Sequence, residues 1–122
     1  MIDFFLSGGA SMIFVLLFGG AAVGASVMSV ARPSARAVGA LRSLSIATTF
    51  SATAGVASCL AAVGYHVTGN AEWASSPDLH LIVMTGLAES MSPAILGFGL
   101  LALAWVVAAG ARKPVAIAAP TA

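Results

Sequence analysis

The chain has 122 residues, 60% hydrophobic and only 7% charged, with a mean hydropathy of +1.05 and a net charge of +1. Soluble domains carry roughly a quarter charged residues, so a chain this short and this apolar takes lipid as its solvent. The charge balance leaves no basic surface for nucleic acid. A single cysteine, Cys59, leaves no intrachain disulfide and no zinc cluster, and no nucleophile–base set or phosphate loop points to an enzyme or a cofactor.

The fold class expected is an all-α membrane protein of three transmembrane helices, forming one domain over residues 1–113, with a Pro- and Ala-rich disordered tail at 114–122. Span 1 is expected over about 4–30, with Asp3 as its N-cap. It lacks a basic leading segment and is too long for a signal-peptide core, so it reads as a retained span. Its first half is bulky (Phe14, Leu16, Leu17, Phe18) and its second half small. Gly20 and Gly24 form a small-xxx-small pair of the kind that lets a neighbouring helix approach closely.

A junction is expected over about 31–42, where Arg32-Pro33 acts as a stop signal and Arg32, Arg36 and Arg42 gather. The remaining basic residues, Arg112 and Lys113, follow span 3. The positive-inside rule puts both groups in the cytoplasm, giving an N-outside, C-inside topology.

Span 2, about 41–67, is rich in hydroxyls. Ser45, Thr49 and Thr53 recur at i, i+4, i+8 and share a face. Such a stripe either lines a wet path or bonds its own i−4 carbonyls, and the second is the commoner use. Tyr65 and His66 close the span at an interface, and the polar stretch after it carries Glu72, Trp73 and Asp78. His66, Asp78 and His80 match no standard metal spacing and read as solvated loop-end residues.

Span 3, about 79–111, holds the one charge inside any span, Glu89, about ten residues in and so roughly 15 Å deep. An intramembrane carboxylate is costly and marks a functional site by default. No Lys or Arg lies within the apolar run of any span to pair with it, Arg42 standing at the junction end of span 2. It is therefore protonated, facing water, or balanced by a partner subunit, and in each case it is poised to exchange a proton or meet a cation. Gly86, Ser90, Pro93 and Gly97 are expected on its side of the helix. Pro93 has no N–H to give the Glu89 carbonyl, so a kink is expected there, with that carbonyl freed as an acceptor. The plain alternative is a structural carboxyl bonding a neighbouring helix.

Three stretches resemble the ExbB/TolQ/MotA proton-channel (stator) family. Asp3-Phe4-Phe5-Leu6-Ser7-Gly8-Gly9 with Met12 after it looks like the family's "F-x-x-G-G-x-x-M" entry to its first span. Gly86-Leu87-Ala88-Glu89-Ser90-Met91 with Gly97 resembles "G-I-x-E-A-L-x-T-T-A-x-G-L", and Gly55, Ser58, Cys59 and Ala62 are weakly similar to "G-L-L-G-T-V-x-G-M". The resemblance implies a homo-oligomeric ring, typically of five, in a bacterial inner membrane. It also implies single-span partners of the ExbD/TolR type and use of proton-motive force. On this reading Glu89, Ser90, Pro93, Thr49 and Cys59 form the ion path, and Gly20, Gly24, Gly55, Gly86 and Gly97 serve helix packing. The chain differs from the family in carrying Pro93 and Ala94 at the hydroxyl pair, Cys59 at the span 2 threonine, and a short junction for the cytoplasmic region. A non-conducting structural subunit of a membrane complex is the alternative. A rotor-ring proteolipid fits less well, because that class has two spans and a glycine-repeat first helix.

Overall fold

A computed structural model describes residues 11–110. It contains helices α1 (Ser11–Ala31), α2 (Ala35–Gly69), α3 (Ala71–Ala74), α4 (Leu79–Ser90) and α5 (Ser92–Gly110), and no strand among the described residues. Three stretches, Ser11–Ala31, Ala35–Gly69 and Leu79–Gly110, are long and apolar enough to cross a membrane. The described residues are therefore all-helical apart from their turns, and by length and composition the chain is a multi-pass membrane protein. The expected cap at Asp3, the residues 4–10 of span 1, the anchors Arg112 and Lys113 and the tail at 114–122 lie outside the described residues.

The first junction is shorter than expected. Only 32–34 separate α1 from α2, because Ser34 is an N-cap whose hydroxyl accepts a hydrogen bond from the Ala37 N–H at 3.1 Å. A capped run of good helix formers (Ala35, Ala37, Ala40) starts the helix at once. Arg36 and Arg42 consequently lie on α2, exposed on its first turns. At 35 residues, α2 is about 52 Å long, well beyond the roughly 30 Å of a hydrocarbon core. It ends at Asn70, whose side chain caps α3 by accepting from the Glu72 N–H at 3.0 Å. The two ends of the bundle are called below the arginine end and the α3 end.

α1, α2 and α5 pack against one another, and α4 packs chiefly on α2. The interior is built from small groups. Ala22, Leu41, Ala104 and Ala108 form a cluster at the arginine end, flanked by Leu44 and Leu101. Nearer the middle lie Met12, Val15, Thr48 and Ala52. Buried hydroxyls are satisfied within their own helices: Ser26 donates to the Val23 carbonyl at 2.6 Å and Thr48 to the Leu44 carbonyl at 2.8 Å. Lipid offers no water to such groups, so local bonding is required.

Close approach makes several glycines obligatory. A Cβ on Gly97 would stand 2.8 Å from the Cβ of Ala52 and 3.2 Å from Val15 Cγ1, and one on Gly55 would stand 2.8 Å from Pro93 Cβ. Gly86 meets Val63 of α2 in the same way. Gly20 and Gly24 do not: both are exposed, with nothing within 4 Å of an added Cβ. The buried stripe of α1 is Met12, Val15, Gly19, Ala22 and Ser26, and it is Gly19 that meets a partner, Leu100 of α5. Successive residues stand about 100° apart around a helix, so Gly20 and Gly24 fall outside the packed face.

Candidate functional site

The third span is broken where proline was expected to disturb it. α4 ends at Ser90, Met91 sits between the two helices, and α5 begins at Ser92 with Pro93 in its first turn. Proline is tolerated there, since the N–H groups of a first turn have no intrahelical partner. The turn tightens across the break: the Met91 N–H donates to the Ala88 carbonyl at 3.2 Å, and the Ile95 N–H donates to Met91 at 3.1 Å. The cap's N–H contacts also take in the Glu89 carbonyl. That carbonyl is thus less available as a lone acceptor than the kink alone implies.

Glu89 stands one residue before the end of α4 and is exposed, whereas Ser90, Pro93 and Gly97 are buried. The small-residue face and the carboxyl are therefore separated. Ser90, Pro93 and Gly97 turn into the bundle, with the Ser90 hydroxyl donating to its own Gly86 carbonyl at 2.7 Å. Glu89 turns to the rim of that face, into a cleft of about 1080 Å³ between α2 and α4.

The cleft runs from the break towards the α3 end. α4 contributes Glu89, Thr85 and Ser90, α2 contributes Ser51, Ser58, Cys59 and His66, and α1 contributes Ser11 and Phe14. Trp73 of α3 lines it at the far end. His66 there stacks edge-on against Tyr65, with ring centroids 6.0 Å apart. Glu89 thus shares one cleft with hydroxyls from three elements, a thiol and an imidazole. Among the described residues, no three His, Cys, Asp or Glu side chains converge as a metal site.

The structure brings together only part of the expected ion path. Glu89, Ser90 and Cys59 border the same cleft, and Pro93 lies behind it against Gly55. Thr49 does not belong there. It is exposed elsewhere on α2, and its hydroxyl donates to the Ser45 carbonyl at 3.0 Å. The hydroxyl hydrogens of the rest of the stripe are used in the same way, Ser45 donating to the Leu41 carbonyl and Thr53 to the Thr49 carbonyl. What sequence reasoning missed is the second hydroxyl set of α2: Ser51 and Ser58 are seven residues apart, two helical turns, and so share the face that meets Glu89.

Compared with protein-family models, curated proteins and solved structures, the chain matches none.

Proposed function

We propose that this chain is a proton-handling membrane subunit of the ExbB/TolQ stator kind, in which Glu89 takes up and releases the proton. The observation that carries the reading is the placement of the one intraspan carboxyl in a cleft lined by Ser11, Ser51, Ser58, Thr85 and His66. An intramembrane acid that shares a cleft with hydroxyls and an imidazole is the arrangement expected of a proton relay. Protons enter from the α3 end past His66, and the side-chain hydroxyls hold the water that carries them to Glu89. In this reading the arginine end is cytoplasmic and the α3 end outside, in a bacterial inner membrane. The subunits form a ring, five by the resemblance, around single-span partners of the ExbD/TolR type.

The second reading is a non-conducting scaffold of a membrane complex. It is favoured by Thr49, which is turned away from the cleft, and by Cys59 at the position where the resembled family has a threonine. Vesicles from cells that make the protein retain any single-span partner and separate the two readings. Under an imposed potential, proton uptake is expected in wild type and is expected to fall in Glu89→Gln to the background of vesicles from cells that lack the protein. Equal uptake in the two defeats the relay and leaves the scaffold.

A further inference from the structure

The cleft beside Glu89 is far larger than a file of water molecules needs. At about 1080 Å³ it matches the upper end of small-molecule sites, about 300–1,000 Å³. Much of its wall is apolar, from Ala54, Ala62 and Val63 on α2 to Leu81 and Ile82 on α4. Phe14 and Trp73 line it as well, and among the described residues no Lys or Arg does. Arg36 and Arg42 stand at the opposite end of α2, Arg36 about 45 Å from His66 along the helix.

This combination selects a chemistry. An apolar wall and aromatic side chains hold hydrocarbon, and a carboxylate without a basic neighbour lacks its counter-charge. A neutral amphiphile leaves the carboxylate unpaired, and an anion is repelled by it. The geometry points to a second occupant of the Glu89 cleft: a lipophilic organic cation of the quaternary ammonium or phosphonium class, its charge held by Glu89 and its hydrocarbon by the apolar wall, in competition with the proton. Among the described residues, the other titratable groups lining the cleft are Cys59 and His66 of α2, while α1 and α3 present Ser11, Phe14 and Trp73. The inference rests on the same carboxyl as the relay, but on its binding and not on conduction.

Equilibrium binding of radiolabelled tetraphenylphosphonium to the full chain in nanodiscs of zwitterionic lipid tests it. Saturable binding above empty nanodiscs is expected. Glu89→Gln is expected to weaken it at least about tenfold, equivalent to about 1.4 kcal/mol. Ala62→Phe fills the cleft from an exposed position on α2 and is expected to weaken it without touching the carboxyl. No saturable binding, equal binding by Glu89→Gln, or equal saturable binding of tetraphenylborate overturns the proposal. Glu89-dependent proton uptake without phosphonium binding defeats this inference alone. Phosphonium binding without proton uptake defeats the relay alone.

Discussion

Ser45 and Thr49 stand one helical turn apart on α2 with the same local hydrogen-bonding habit, yet their substitutions are expected to differ. The Thr49 hydroxyl serves only the Ser45 carbonyl and lies outside the cleft. Thr49→Val keeps the shape and removes a bond that a helix does not need. Proton uptake and thermal midpoint in detergent are expected to stay at wild-type values, and a loss of uptake would return Thr49 to the ion path. Ser45, by contrast, accepts a hydrogen bond from the Trp105 indole N–H at 3.2 Å while donating to the Leu41 carbonyl at 2.8 Å. It thereby ties α5 to α2 near the arginine end. Ser45→Ala strands the indole, and a loss of about 1 kcal/mol is expected, read as a lowered midpoint with proton uptake retained. The hydroxyl stripe was visible in the sequence, but which member had a tertiary partner was not. Period fixes a shared face, whereas the partner depends on a tryptophan 60 positions away.

Among the elements, the division of the third span into α4 and α5 has a single cause in the chain, Pro93. Its missing N–H breaks the ladder at Glu89, and Met91 takes up the break. Because Pro93 Cβ already contacts the Gly55 surface, Pro93→Ala keeps that atom while restoring the donor. The expected result is one continuous helix through 91, with slower hydrogen exchange of the amides of Met91 and Ser92. Unchanged exchange there would show that the break is set by packing and not by proline. This element was legible beforehand because proline acts on backbone bonds at a fixed offset, whatever the surroundings. The spans were legible for a similar reason, since hydropathy over some 20 residues needs no knowledge of neighbours. Two things were not. The start of α2 turned on a local cap at Ser34 hidden among arginines that also fit a loop. The rotation of α1 could not be read because its sequence is apolar or small on every side: the residues beside the buried Gly19 and Ala22 are Phe18, Gly20, Ala21 and Val23. A glycine pair then looks equally suited to any face.

At the scale of the whole molecule, the glycines divide into those the bundle has used and those it has left open, and the division bears on assembly. Gly55 and Gly97 lie too close to the Cβ atoms of Pro93 and Ala52 to carry a side chain, Gly19 and Gly86 lie against the side-chain ends of Leu100 and Val63, and Gly20 and Gly24 have open space. The exposed side of α1 therefore joins a small-xxx-small surface to bulky apolar groups such as Leu17, Val27 and Met28. In lipid there is no hydrophobic drive to cover the bulky groups, but two backbones can approach closely only across small residues. If a ring of copies forms, this is the surface with the geometry to make it. Leucine at the two kinds of glycine should then act in opposite ways. Gly97→Leu forces a side chain into Ala52 and Val15 and is expected to cost at least about 1–3 kcal/mol by overpacking, seen as loss of the folded monomer in detergent. Gly24→Leu meets nothing inside the subunit, so the monomer is expected to keep its thermal midpoint while native mass measurements show a smaller assembly. A full-sized oligomer in Gly24→Leu would move the subunit interface to another face. A wild-type monomer at every detergent concentration would remove the ring, and with it the structural reason for any stator-like reading of Glu89.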